Sequence, residues 1–219
     1  METSDMLTKT RFTGLVAALL FSAAAVADPI TIETYPNEAI PGTLGDYTTE
    51  EYTITGADGP VTSFTTDSGN VINLGGDPVA IGSPSWAVPI GATIFGVYGN
   101  IVTLNPTTPL GAISFIITAS FNGSAWVSAD WSDGIDSGTL RNPTAGYFPI
   151  NQAGDNANNA IGVSMHAAPG ACITSVTVDP TFSWGISAIR TADCVSVPEP
   201  GPLGLMGLGL LCLGFVARR

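Results

Sequence analysis

Three sets of side chains in this sequence could do chemistry. The densest is Asp130-Trp-Ser-Asp133-Gly-Ile-Asp136-Ser-Gly138, three carboxylates within seven residues around a glycine. Hard oxygen ligands on a flexible loop suit calcium, so Asp130, Asp133 and Asp136 are candidate metal ligands. Their spacing is not that of an EF-hand, and solvated turn acids would look the same. Asp155-Asn-Ala-Asn-Asn159 would supply additional oxygens if it folds nearby. The second is His166, the chain's single histidine. A Ser-His-Asp triad can be written on paper, yet no Gly-x-Ser-x-Gly elbow occurs, so a structural or surface histidine is expected. Glycoside hydrolysis needs two carboxylates on facing elements, and Glu33, Glu38, Glu50 and Glu51 fall in the loop-rich beginning of the body. No catalytic residue is assigned, and the chain is read as a non-enzyme. The third is Trp126, whose indole among hydroxyls and carboxylates could stack on a sugar ring, or could instead be covered by a loop or sheet edge.

The elements that must hold these groups are short strands. No stretch of a dozen residues keeps apolar spacings of three and four without Gly, Pro, Asn or Asp, so helices are few. Strands are expected at Tyr52–Thr55, Val61–Thr65, Val71–Leu74, Thr93–Leu104, Ala112–Phe121, Ala125–Trp131, Ile161–His166, Ile173–Val178 and Phe182–Ile189. Turn signals about every ten residues suggest an all-β, antiparallel, sandwich-like domain. Ile113, Phe115, Ile117, Ala119 and Phe121 alternate with more polar positions and should face the core. A three-residue loop after Phe121 would pair Phe115 with Trp131 and Ile117 with Ala129, keeping one face apolar. That hairpin leaves Trp126 outside, near Thr118, Ser120, Ser128 and Asp130. Trp184 alternates with Phe182 and Ile186 and is expected in the core.

Composition limits the partners. The chain has 219 residues, 45% hydrophobic and 11% charged, with a net charge of −12. Residues 28–197 carry 15 acidic side chains against Arg141 and Arg190. Such a body repels phosphate, which excludes nucleic acid. Enough Ile, Val, Phe and Trp remain for a core, so it is not a disordered polyelectrolyte.

Both ends read as addresses. Lys9 and Arg11 precede an apolar stretch from Phe12 to Val26 that closes on Ala25-Val-Ala27, the pattern of a secretory signal peptide cut after Ala27. Translation could start at Met1 or Met6. At the other end Val197-Pro198-Glu199-Pro200-Gly201 leads into an uncharged run from Pro202 to Ala217 and then Arg218-Arg219. The run sits at the short limit for spanning a bilayer, and the arginines favour a cytoplasmic terminus.

That combination resembles the PEP-CTERM sorting signal, over about the last two dozen residues. The resemblance implies recognition by an exosortase-like membrane enzyme, cleavage near Pro198-Glu199-Pro200, and delivery to the cell surface or extracellular matrix of a Gram-negative bacterium that makes exopolysaccharide. It says nothing about the cargo.

Cys212 lies in the tail, so an exported body keeps Cys172 and Cys194, and one disulfide is the expected outcome outside the cytoplasm. If Ile173–Val178 and Phe182–Ile189 form a hairpin, Ala188 lies near Cys172, and residues 190–194 must fold back to close the bond. The division is then a signal peptide over 1–27, an all-β exported domain over 28–196 and a sorting signal with a transmembrane helix over 197–219. No cofactor is assigned, with calcium open. The expected function is a non-enzymatic surface or matrix protein associated with exopolysaccharide or biofilm, anchored in the inner membrane as a precursor. The alternative is a lectin-like carbohydrate-binding sandwich that uses Trp126 and possible calcium.

Overall fold

The structure is a computed structural model that describes residues 28–36, 40–84, 93–97, 99, 101–119, 123–144, 146–150, 160–181 and 184–195. Both terminal address segments and Asp155–Asn159 lie outside the described residues. Seventeen strands and no helix occur among those described. They are β1 (Ile30–Pro36), β2 (Thr43–Leu44), β3 (Tyr47–Thr48), β4 (Glu50–Glu51), β5 (Gly59–Val61), β6 (Ser63–Thr65), β7 (Val71–Gly76), β8 (Val79–Gly82), β9 (Ile94–Val97), β10 (Val102–Pro106), β11 (Leu110–Ala119), β12 (Gly123–Ser132), β13 (Ser137–Asn142), β14 (Phe148–Ile150), β15 (Ala160–Ala167), β16 (Cys172–Pro180) and β17 (Trp184–Asp193).

The pairing is antiparallel throughout. One half runs β5-β8-β9-β17-β11-β15-β1, with β4 also on β17. The other runs β6-β7-β10-β16-β12, with β13 and β14 both pairing β12. Leu110 opposite Ile173 joins the halves, so fifteen strands make one continuous, nearly barrel-shaped sheet. Near the other seam Asn142 Nδ2 donates to the Ile32 carbonyl at 3.1 Å, a side-chain bond between β13 and β1.

The core forms between the halves. Ile113, Phe115 and Ile117 of β11, Val163 and Met165 of β15, and Trp184 and Ile186 of β17 share it with Val127 and Ala129 of β12, Val176 and Val178 of β16, and Leu104 of β10. Removing the largest of these side chains would cost about 3–5 kcal/mol each. Trp184, 1% exposed, is core as expected.

The two expected hairpins do not form. β11 pairs β15 and β17, whereas β12 pairs β13, β14 and β16. Phe115 and Ile117 do share the core with Val127 and Ala129, but from opposite halves. Alternation shows which way a strand faces, and both inner faces here are apolar whether or not the strands pair. In the same way β16 and β17 sit in different halves. β17 continues to Asp193, so no fold-back is needed to bring Cys194 beside Cys172.

Strand β11 is buried along all ten residues, including the outward-facing Ser114, Ile116 and Thr118. The segment from Ile40 to Glu51 lies over this face, with Ile40 packed on Ile116, and glycines let it approach. Gly111 leaves room for the Tyr47 ring, and a Cβ on Gly162 would lie 2.7 Å from Ile40. Gly45, at φ +56°, lies over the His166 ring, where a Cβ on it would sit 2.6 Å from the ring's Cδ2. β4 then fastens the cover to β17, with Arg190 and Glu51 forming an ion pair across the register.

Candidate functional site

The place where the chain leaves the body is built around a buried amide. Asn70, 5% exposed, uses its whole amide there. Nδ2 donates to Thr108 O at 2.7 Å and to Asp193 Oδ1 at 3.1 Å, while Oδ1 accepts from Thr108 N at 3.1 Å and Thr107 Oγ1 at 3.2 Å. All four amide positions are satisfied, which is what a buried amide needs to be stabilising. Asn70 thereby ties the turn after β6, the turn before β11 and the end of β17 together. Sequence reading gave Asn70 no role, because its partners are far away along the chain.

One residue after β17, the Cys194 amide donates to Pro109 O at 3.0 Å and its sulfur is bonded to Cys172, with Cα atoms 5.6 Å apart. The expected disulfide is therefore present. It links the start of β16 to the end of β17, and thus the two halves of the sheet. Closing a loop of sequence separation 22 is worth about 3 kcal/mol on the chain-entropy model.

Trp126 lies on the outer face of β12, as expected, with different neighbours. Asp179 is opposite it on β16, and the Arg141 guanidinium stacks over its ring at 4.4 Å. The Asp179 carboxylate thus neighbours the indole on the same face. Partial burial raises the Asp179 pKa, and Arg141 and the Trp126 N–H oppose that rise. Arg141 also donates to Gly146 O at 2.8 Å. Thr118 belongs to the other half, and Ser120 lies outside the described residues. The surrounding face is polar: Ser128, Thr177 and Thr103 form one row across β12, β16 and β10, and Asp130 and Ser175 begin the next.

Two of the three candidate calcium ligands, Asp130 and Asp133, have separate tasks. Asp130 accepts from Thr139 Oγ1 and Ser175 Oγ at 2.5 and 2.6 Å, bridging both neighbouring strands. Asp133 Oδ1 caps its own turn, accepting from the amides of Ile135 at 2.8 Å and Asp136 at 2.7 Å, which lowers its pKa. Among the described residues no three His, Cys, Asp or Glu side chains are grouped to hold a metal. His166, on β15 beneath Gly45, has a buried Nδ1 without a hydrogen-bond partner, and Ser114 Oγ is likewise buried and unpartnered.

Among the described residues no helix is long and apolar enough to cross a membrane. Residues 196–219 match the family model of the PEP-CTERM protein-sorting motif. Comparison with curated proteins and with solved structures finds no match. The motif marks an exported chain with a membrane-anchored precursor in Gram-negative bacteria, recognised by an exosortase-type processing system.

Proposed function

We propose that the chain is a non-enzymatic surface or extracellular-matrix protein, released from its membrane-held precursor by cleavage near Pro198-Glu199-Pro200 and retained among exopolysaccharide. The observation that carries this reading is the position of the sorting motif, which begins directly after a body whose last strand is locked by a disulfide. An acidic, hydroxyl-rich exterior favours solubility among hydrated polymers. A stable β body with a removable tail needs no chemistry of its own to serve there.

A lectin-like reading is supported by the row of Ser128, Thr177 and Thr103 near Trp126. It is the second choice because Arg141 already covers one face of the indole. Part of the surface that would stack on a sugar is thus used within the protein.

The test of the leading reading is made in producing cells. Pro198→Ala with Glu199→Ala, or deletion of Arg218 and Arg219, should leave full-length precursor in the membrane fraction. Normal release of a tail-free product from either variant would refute it.

A further inference from the structure

We propose that the end of the body from which the tail leaves is an interface with the processing enzyme, and that Ile135 is its apolar contact. This rests on the sorting-tail reading above. The pairing registers bring several segments to that end. Ser132 lies opposite Cys172, Cys172 is bonded to Cys194, and Cys194 is hydrogen-bonded to Pro109. Ala168 N donates to Pro29 O there, so Asp28 emerges at the same end as Val195.

Chain length then forces contact. Four Cα steps from Cys194 reach Pro198, and a fully extended chain covers at most about 3.6 Å per residue, roughly 14 Å in all. An enzyme embedded in the membrane and cutting at Pro198-Glu199-Pro200 must therefore work with this end of the body against its outer surface.

The body offers a prepared group for that contact. Ile135, at the tip of the β12–β13 hairpin and three residues beyond Ser132, is 84% exposed. Its turn is fixed by the two amides on Asp133 Oδ1, by Gly134 N to Ser132 Oγ at 3.2 Å, and by Asp133 N to Asp136 O at 3.1 Å. An apolar side chain carried on a fixed turn costs little backbone entropy on binding, as suits an interface anchor.

Charge selects a protein over lipid. Asp28, Asp67, Asp133, Asp136 and Asp193 belong to this end. Of the two arginines in the described body, Arg190 is paired with Glu51 and Arg141 lies over Trp126. An anionic bilayer would repel such a surface.

The experiment follows conversion of newly made full-length chain to tail-free product in cells that carry their own processing enzyme. Ile135→Asp should slow conversion about tenfold, the loss expected of an interface anchor. Tyr147→Asp, a change at an exposed residue beside β14 at the opposite end, should not. A Gly-Ser insertion of about eight residues after Val195 would relax the enforced contact, and conversion should then no longer depend on residue 135. Wild-type conversion of Ile135→Asp in the uninserted chain, or equal slowing with and without the insertion, would overturn the proposal. Faster conversion of Asp67→Lys with Asp136→Lys would also overturn it, by assigning this end to lipid. Failure of the sorting-tail reading would look different, since the Pro198→Ala, Glu199→Ala chain would still lose its tail.

Discussion

Asp179 and Asp133 show how one residue type takes opposite electrostatic roles on one surface. Burial beside Trp126 raises the Asp179 pKa above its ordinary 3.8, so the folded state binds that proton more tightly than the unfolded chain. Stability from this site therefore falls as pH rises from 3.8 through the raised native value. Asp179→Asn removes the titrating group, so it should flatten that fall and leave the protein at least as stable at neutral pH in denaturant titrations. Asp133 is shifted the other way by backbone amides, and its contribution is present above 3.8 and lost as pH drops through the lower native value. Trp126→Ala tests the lectin-like reading on a glycan array: the leading reading expects no bound glycan to be lost, while loss of a specific glycan by a folded variant would favour the alternative. The placement of Trp126 on an outer face was legible from alternation along its strand. Arg141 and Asp179 were not, because cross-strand neighbours depend on which strands pair.

At the scale of elements, a glycine can matter as much as a core side chain. Gly111 is where the Tyr47 ring meets β11, and the fit is what allows the segment from Ile40 to Glu51 to close over this face, where Ile40 packs on Ile116. Gly111→Ala should displace that ring and lower unfolding free energy by about 1–3 kcal/mol, the usual cost of overpacking, measured by denaturant unfolding. An unchanged midpoint would mean that the cover is not packed as described. The strand content of the body was readable from its turn residues and the lack of helical spacing. Thr93–Leu104 is nevertheless divided between β9 and β10, and β1 and β13 were not anticipated. The pairing was least legible. Phe115 and Val127 alternate well enough to suggest a hairpin, yet their strands meet across the core. In a strand covered on both faces, such as β11, even the polar side with Ser114 and Thr118 is buried, so alternation does not give its neighbours away.

On the scale of the whole molecule, the C-terminal end carries a sorting motif and the structure shows that it leaves from a firm base. Asn70, Asp193, Cys172 and Cys194 anchor the exit point, so strain applied through the tail meets a hydrogen-bonded and disulfide-linked corner. The disulfide was legible from compartment and cysteine count alone, although the hairpin imagined around it was not the one that forms. The central claim is that the tail is removed and the linked body is the lasting product. Its most direct test is the intact mass of the protein recovered from the surface and matrix fractions of producing cells, before and after reduction. The account predicts a chain that begins near Asp28, ends close to Pro198–Pro200 and gains two hydrogens on reduction. A dominant species that still extends through Arg219 would contradict it.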